Sequence, residues 1–371
     1  MRFRRILKRS ALGAFVLVAA IAVAAAGYRS YRQHQLAEKL VISSVNGIDE
    51  QHFVEANGIE HWVTIRGLDR RNPIVFFVHG GPAEIVSFVP SATQAFERDF
   101  TVVHWDQRGA GRTFSRNPRP PADLTLAQMT DDGVKVVEWV TRHLAQPQVI
   151  LVGHSWGSIL GEHMVVARPD LFAAYVGTGQ VVGWNVQVQT QYAYSLARAR
   201  TDGDSDVLTA LTAFGGPPSS DLKTYQQFRA VMRRYLAQAD RDFGSRQAPD
   251  ILMAPGVSLA DVWNALQGAR ASMAALTPTL LSVDLTELGY DFPVPFVVIQ
   301  GDSDLITPTS LAVDYFNRIN APAKTLVQIP DAGHYAFVTH ANQFREALVS
   351  KVLPLTRRAT PANQGPAGAR Q

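Results

Sequence analysis

The sequence of 371 residues contains no cysteine at all. This absence excludes disulfide bonds, thiol catalysis and cysteine-ligated metals. The ten histidines are scattered along the chain and no His-Glu-x-x-His is present, so the pattern does not indicate a metal site. Glutamate is also missing from the whole interval between Glu162 and Glu287, which becomes important once a substrate is considered.

Nucleotide-binding signatures are absent as well. There is no P-loop, and the run Gly109-Ala110-Gly111 is followed by Phe114 at the position of the third glycine in the dinucleotide fingerprint. We therefore expect no cofactor. The formal charge of +3 comes from five basic side chains among the first ten residues, and the remainder of the chain is slightly negative. This distribution does not indicate a nucleic-acid partner.

The basic cluster precedes an apolar run, Ala11 to Gly27, that contains no charged residue. As a helix this run spans about 25 Å at ~1.5 Å per residue, close to the ~30 Å hydrocarbon core of a bilayer. Because basic residues ahead of such a run stay in the cytoplasm, we expect a membrane anchor with the catalytic part outside, on the periplasmic or extracellular face. The alternative is a signal peptide cleaved near Ala24-Ala25-Ala26, which gives a secreted protein.

Residues 1–27 thus form the predicted anchor or signal helix, and the polar stretch 28–47 is interpreted as a juxtamembrane linker. Two strand-like runs joined by Asn57-Gly58 then predict a hairpin. From there to about residue 183, short apolar runs alternate with helical spacing, which is typical of a parallel sheet covered by helices on both faces. We assign 48–183 to the first part of this α/β core.

Strand signals stop in the next segment, 184–288, which reads as several helical pieces separated by glycine and proline. They return at Val294–Gln300, and 289–357 is predicted to complete the core. The middle segment is therefore expected to be a helical cap inserted into one α/β domain. The Pro-, Gly- and Ala-rich tail 358–371 is predicted to be disordered.

The run Gly153-His154-Ser155-Trp156-Gly157 fits G-x-S-x-G between an apolar strand and a helix. In that setting the serine sits on a sharp turn that exposes its hydroxyl, and the glycines avoid clashes where the strand and helix meet. Ser155 is therefore the predicted nucleophile.

A serine nucleophile needs a base, and the base needs an orienting acid. His334 follows the predicted strand Thr325–Ile329 and is the predicted base. Asp304 follows the strand Val294–Gln300 and is the predicted acid, with Asp302 as the alternative.

Acyl transfer also needs donors for a developing oxyanion, and backbone amides serve best because they are already oriented. We predict the amide of Trp156, directly after the nucleophile, and the amide of Gly81 in the run His79-Gly80-Gly81-Pro82. His79 is interpreted as a structural hydrogen-bonding residue, and Gly80 gives the backbone room beside the substrate.

Taken together, three motifs resemble the proline iminopeptidase branch of the α/β-hydrolases. His79-Gly80-Gly81-Pro82-Ala83 is similar to the family's HGGPG, Asp106-Gln107-Arg108-Gly109 begins a run similar to its DQRGxGxS, and Gly153-His154-Ser155-Trp156-Gly157-Ser158 is similar to its GGSWGS. The resemblance implies the α/β-hydrolase fold with a helical cap and the triad Ser155, Asp304 and His334. It also implies that Asp106 and Arg108 organise the loop beside the site.

The sequence departs from the family at Ala83 and His154, which replace glycines, and in the cap. Family members that remove an N-terminal proline use acidic cap residues, often glutamates, for the substrate's ammonium group, and this cap has no glutamate. The substrate therefore stays open between a short peptide amide and a small acyl ester. An inactive binding protein on the same fold is the alternative from another class.

Overall fold

The computed structural model describes residues 2–118 and 124–356. The eight strands, in chain order, are β1 (Ile48–Ala56), β2 (Ile59–Gly67), β3 (Ile74–Val78), β4 (Thr101–Trp105), β5 (Val149–His154), β6 (Phe172–Thr178), β7 (Phe296–Gly301) and β8 (Lys324–Ile329). The α-helices are α1 (Arg2–Lys39), α2 (Gly111–Arg116), α3 (Leu126–His143), α4 (Trp156–Ala167), α5 (Trp184–Asp202), α6 (Ser205–Ala213), α7 (Leu222–Met232), α8 (Gln238–Met253), α9 (Leu259–Ser282), α10 (Thr309–Arg318), α11 (Ala336–Thr339), α12 (Ala341–Ala347) and α13 (Leu353–Thr356).

All eight strands form one sheet in the order β1-β2-β4-β3-β5-β6-β7-β8. The pairs β1–β2 and β2–β4 are antiparallel, and every later pair is parallel. This arrangement confirms the predicted α/β-hydrolase fold class, including the opening hairpin. Because β3 and β5 are neighbours, the loop after β3 and the turn after β5, which carries Ser155, meet at the carboxyl edge of the sheet.

The continuous apolar runs in the sequence arise because the central strands are buried on both faces. In β3, Phe76 and Val78 belong to the core on one face, which α3, α4 and α10 cover. Val75 and Phe77 belong to the core on the other face, which α11 and α12 cover. The two packed faces fix the sheet rigidly beneath the loops that carry the chemistry.

Helices α5 to α9 lie between β6 and β7 in the chain, and we call them the cap. Their side chains form a separate apolar cluster that includes Trp184, Leu211 and Phe228. Asp204, Asp221 and Ser258 cap α6, α7 and α9 by accepting hydrogen bonds from backbone amides of the first turn. Helix ends therefore explain the positions of Asp204 and Asp221 in the cap.

Helix α1 is long and apolar enough to cross a membrane over Leu12–Lys39, and none of the residues in its apolar stretch is buried. The segment predicted as a polar linker is helical as far as Lys39, and its residues Arg29 and Gln33 hydrogen-bond to the cap. The tail predicted to be disordered lies outside the described residues.

Candidate active site

Ser155 occupies the turn between β5 and α4 with φ 53° and ψ −120°, a conformation that L-residues rarely adopt. Its backbone is held in place because its amide donates to Thr178 O at 3.0 Å and its carbonyl accepts from the Ser158 amide at 2.8 Å. The turn places Ser155 at the N-terminal end of α4, where backbone amides and the helix dipole favour negative charge.

The two glycines of the motif are required by the close approach of the strand and the helix. A Cβ on Gly157 would lie 2.0 Å from Val78 O, and a Cβ on Gly153 would lie 2.5 Å from Gly157 O. Backbone atoms cannot move aside as a flexible side chain can, so a side chain at either position would force the strand and the helix apart. This explains the G-x-S-x-G spacing from contacts in this protein.

The structure brings His334 and Asp304 together. His334 Nδ1 lies 3.0 Å from Asp304 Oδ2, and both side chains are buried. Asp304 also accepts hydrogen bonds from the amides of Ile306 and Thr307, and from the Gln300 side chain. Because a carboxylate oxygen can only accept, Nδ1 carries the proton and Nε2 is left as an acceptor.

The charge environment of His334 suits a base. Burial alone would lower the pKa of His334, but the charge and hydrogen bond of Asp304, followed by the charge of Asp240, raise it above its usual value. His334 packs beside His154, the residue that precedes Ser155, with ring centroids 4.7 Å apart. The imidazole and the nucleophile therefore share the same edge of the sheet.

Asp302, the alternative acid, is exposed and accepts a hydrogen bond from the neighbouring Ser303 hydroxyl at 2.8 Å. It makes no hydrogen bond to His334 among the described residues. The geometry thus separates the two aspartates, with Asp304 beside the imidazole and Asp302 at the surface.

The predicted oxyanion residues Gly81 and Trp156 line one cavity together with Ser155. Gly81 has φ 113°, in the region that favours glycine. His79 holds this loop, because its Nε2 accepts from the Gln107 amide at 3.2 Å and its carbonyl accepts from the Gln107 side chain at 2.8 Å. Burial lowers the pKa of His79, so its imidazole stays neutral and structural.

Gly80 belongs to the same loop, and a Cβ there would lie 3.1 Å from Ser155 Cβ. Position 80 must therefore be a small residue for the loop to lie this close to Ser155.

Asp106 and Arg108, to which the resemblance assigns the loop after β4, both bind groups around that loop. Asp106 accepts a hydrogen bond from the Arg112 amide at 2.7 Å, which starts α2. Arg108 makes a bidentate ion pair with Asp132 of α3, at 2.6 and 2.9 Å. Its contact faces α3 and the β1–β2 turn, so its role is to hold the loop.

Sequence reasoning missed Asp240, on the cap helix α8. Its carboxylate accepts from the backbone amides of His334 at 2.8 Å and Tyr335 at 3.2 Å, and it is 4% exposed. Asp240 therefore fixes the loop that carries His334 and joins the cap to the core. No local pattern distinguishes it from the other cap aspartates, because its partners lie 94 and 95 positions away in the chain.

A second missed residue is Glu84, which follows the HGGP-like run. Glu84 Oε2 lies 3.2 Å from His154 Nδ1, and a Cβ on Gly80 would be within 2.7 Å of the same oxygen. Burial alone would raise the pKa of Glu84, but the hydrogen bond and charge of His154 lower it below its usual value. His154, which replaces a family glycine, thus brings a carboxylate beside the nucleophile turn. In the sequence, only the departures from the family pattern at Ala83 and His154 indicated that this part of the site differs from that of the family.

The cavity at Ser155 has a volume of about 110 Å³. Its walls come from the core and the cap and are mostly apolar, with Gln187, Arg229 and Thr307 as polar members. No aspartate or glutamate lines it among the residues that the structure describes.

Comparison with known proteins identifies the family. Residues 73–341 match the family described as alpha/beta hydrolase fold. The probable aminopeptidase YbaC of Bacillus subtilis (strain 168) is 32% identical over 294 residues, which is 76% of this chain and 90% of that protein. A probable proline iminopeptidase of Streptomyces coelicolor is 33% identical over 115 residues, which is 30% of this chain. These sequence matches confirm the predicted resemblance to that branch.

Two solved structures illustrate the fold. A proline iminopeptidase-related protein from Thermus thermophilus has a TM-score of 0.55 at 19% identity, covering 84% of this chain and 99% of its own. A membrane phospholipase A has a TM-score of 0.59 at 13% identity, covering 95% of this chain and 100% of its own. Such low identities show the fold alone, and the two names show that the fold serves different substrates. The chain belongs to the alpha/beta hydrolase fold family.

Proposed function

We propose that this protein is a serine hydrolase that cleaves an amide or ester bond through an acyl-enzyme. The observation that carries the proposal is the strained Ser155 turn beside a buried pair of His334 and Asp304, 3.0 Å apart. This arrangement supplies a nucleophile, a base with its free nitrogen available, and an acid that fixes the tautomer.

In the first half of the reaction, Ser155 Oγ attacks the acyl carbon and its proton passes to His334 Nε2. The carbonyl oxygen becomes an oxyanion, to which the amides of Gly81 and Trp156 donate. The tetrahedral species collapses when its bond to the leaving group breaks, and His334 returns the proton to that group. Water then attacks the acyl-enzyme with the same proton transfers, releasing the acid and restoring Ser155.

The substitution Ser155→Ala tests this proposal. We expect turnover to be abolished and labelling by a fluorophosphonate probe to disappear, while the circular dichroism spectrum stays unchanged. Ser245→Ala is the matched control, since Ser245 is an exposed serine of α8 whose hydroxyl donates to the Asp242 carbonyl of the same helix at 2.7 Å. It should retain labelling. Continued labelling of Ser155→Ala would refute the assignment, and unlabelled, folded wild-type protein would favour an inactive binding protein.

The similarity to YbaC favours an aminopeptidase acting on short peptides. Such an enzyme needs a carboxylate for the substrate's ammonium group. The carboxylate that we propose for this role is that of Glu84, which binds His154 beside the nucleophile turn and whose pKa that contact lowers. Because Glu84 lies outside the lining of the cavity, the ammonium group would have to extend beyond the cavity to reach it. The small cavity, compared with the roughly 300–1,000 Å³ of common ligand pockets, fits a residue as small as proline.

A small acyl ester is the second candidate, because Arg229 is the charged residue that lines the cavity. A guanidinium at this position suits a neutral or anionic acyl group better than an ammonium. Paired assays with a prolyl amide and a short acyl ester distinguish the two candidates. Glu84→Gln should reduce kcat/KM for the prolyl amide selectively, and an equal loss for both substrates would argue against a role of Glu84 in specificity.

We also propose that α1 remains uncleaved as a membrane anchor, with the catalytic domain outside the cytoplasm. The apolar window of α1 is unburied, whereas Arg29 and Gln33 just beyond the apolar run bind the cap. Intact mass and alkaline extraction of the membrane fraction test this proposal. A mature protein that begins near Gly27 and remains soluble would contradict it.

A further inference from the structure

Helix α9 carries a stripe of large apolar side chains on its outer face. Leu259, Trp263 and Leu266 are 61%, 62% and 53% exposed. Their spacing of four and three residues places them on one side of the helix. On the inner side, Ala265 is fully buried in a cluster with Phe88. We call Leu259, Trp263 and Leu266 the α9 stripe, and within the described part of the chain nothing buries it.

The α9 stripe begins beside the point where helix α1 docks on the cap. Arg29 Nε donates to Leu252 O at 2.9 Å, and Gln33 Nε2 donates to Ala254 O at 2.7 Å and Val257 O at 3.0 Å. These three carbonyls belong to the end of α8 and the turn that connects it to α9, directly before Leu259. The end of the apolar helix and the start of the stripe are therefore parts of one hydrogen-bonded unit.

The same connecting turn is fixed from the core side. The Arg112 side chain contacts Gly256 O and lies 3.8 Å from Asp261, while its guanidinium stacks over Trp62 and Phe88. The turn is thus held from two directions, and α1 cannot swing freely relative to the cap.

This docking sets the height of the cap above a bilayer. The apolar run of α1 ends at Gly27, and Arg29 follows it by about 3 Å at ~1.5 Å per residue. The polar headgroup layer of each leaflet is several Å deep, so the turn gripped by Arg29 lies within it. Tyr28 and Tyr31 are 57% and 58% exposed at this level, where tyrosine and tryptophan are enriched in membrane proteins.

We propose that the α9 stripe inserts into the headgroup layer of the same bilayer that α1 spans. The inference rests on the membrane anchoring proposed above and goes beyond it, because it assigns a lipid contact to the catalytic domain itself. Because the α9 stripe adjoins α1, we infer that a lipid surface covers the stripe. The exposed Arg32 on α1 and Arg270 one turn beyond Leu266 supply cations for lipid phosphates.

The proposal gives the bilayer a structural connection to the active site. Helix α8 ends at the turn that α1 and the stripe hold at the membrane. Near its other end, Asp240 binds the amides of His334 and Tyr335. One helix therefore runs from the lipid surface to the loop of the base, and the cap is fixed at both ends.

The test uses the full chain in lipid nanodiscs, and the absence of cysteine allows a single nitroxide label per variant. The variants are Trp263→Cys, Tyr28→Cys as the membrane-level reference, and Val166→Cys as the matched control. Val166 is an apolar residue that is 44% exposed, at the end of α4 far from the nucleophile turn. Power-saturation EPR then compares the accessibility of each label to oxygen, which partitions into lipid, and to a water-soluble nickel chelate.

We expect the label at position 263 to resemble that at position 28, with a higher ratio of oxygen to nickel accessibility than the label at position 166. A label at 263 that is as accessible to nickel as the one at 166 would overturn the proposal. Shielding from both reagents would indicate a protein contact, such as a second copy, and would also overturn it. A water-exposed label at 28 would instead show that the anchoring itself had failed.

A second readout uses the native chain and avoids the effects of labelling. Dibrominated lipid quenches tryptophan at the depth of the bromine atoms, so wild-type protein should lose a fluorescence component that Trp263→Phe lacks. Equal fractional quenching of the two proteins would contradict insertion of the α9 stripe.

Discussion

At the residue scale, the site depends on carboxylates that differ only in what surrounds them. Asp304 is 4% exposed and accepts hydrogen bonds from neighbouring amides and side chains, so its orientation toward His334 is fixed. Asp302 lies two positions away but is exposed, with its hydrogen bond to Ser303. A comparison of the two aspartates therefore isolates the effect of contact with the imidazole.

Asp304→Asn should lower kcat by about 10⁴-fold, the size of effect seen when the acid of such a triad becomes an amide. The reason is that an amide group can donate to Nδ1 and so stabilise the wrong tautomer of His334. Steady-state kinetics on the better of the two candidate substrates provide the measurement. Asp302→Asn should keep kcat within about twofold of the wild-type value, because Asp302 does not contact the imidazole. Equal losses in both variants would reject Asp304 as the partner of His334.

The pH dependence of kcat/KM should show an acidic limb set by His334. Only the neutral imidazole can accept the Ser155 proton, so activity rises with pH through the pKa of His334, which lies above its usual value of 6.5. Asp240→Asn removes one of the charges that raise this pKa but keeps an acceptor for the backbone amides. We expect its limb to move to lower pH by a fraction of a unit. An unmoved limb would show that Asp240 acts through geometry alone.

At the element scale, the position of Ser155 depends on how closely α4 approaches β3. Gly157 lies so close to the Val78 carbonyl that a Cβ would overlap with it, so the turn after β5 and the loop after β3 are packed as one unit. Helix α4 thereby presents its first amide where β3 delivers Gly81. The proposed oxyanion site therefore depends on this strand–helix packing.

Gly157→Ala should destabilise the protein by about 1–3 kcal/mol, as overpacking of a tight contact does, and should slow fluorophosphonate labelling. The physical reason is that the new Cβ would meet backbone atoms that cannot yield. Gly244→Ala is the matched control, because Gly244 lies in α8 and a methyl group there would have no atom within 4 Å. It should stabilise the protein by about 0.5–1 kcal/mol through helix propensity. Chemical denaturation curves of both variants show whether each substitution raises or lowers the free energy of unfolding.

At the scale of the whole molecule, a buried acid beneath the site couples stability to pH. Glu162 of α4 is fully buried between the two halves of the core, where it accepts from Gln180 at 2.9 Å and from the Tyr315 hydroxyl at 2.8 Å. Burial raises the pKa of Glu162 from 4.5 to about 8, against the opposing effect of these hydrogen bonds. The folded protein therefore keeps this proton under conditions in which the unfolded chain loses it.

Stability should accordingly decrease as pH rises between about 4.5 and 8. In that window the folded state binds the proton and the unfolded state does not, and each pKa unit corresponds to about 1.4 kcal/mol. Glu162→Gln should flatten this dependence. At pH values above 8 it should also raise the midpoint of chemical denaturation, by an amount that corresponds to a few kcal/mol of unfolding free energy. Glu346→Gln, at a glutamate of α12 that lies outside the core, is the control and should leave the profile unchanged. Parallel profiles for wild type and Glu162→Gln would contradict the assignment.

The amino-acid sequence by itself determined the features that depend on local geometry and chain order. The glycines around Ser155 mark a turn that only small residues permit, and apolar runs alternating with helical spacing predict a parallel sheet. The order of serine, acid and histidine along the chain placed Asp304 and His334 at strand ends, although it left Asp302 open.

The tertiary structure decided what depends on contacts between distant segments. It distinguished Asp304 from Asp302 by burial, brought Asp240 to the His334 amide from 94 residues away, and placed Glu84 against His154. It also extended α1 through the polar segment after Gly27, where Arg29 and Gln33 hydrogen-bond to carbonyls of the cap. Such contacts leave no periodic pattern in the sequence, since each is set by how separately folded elements pack together.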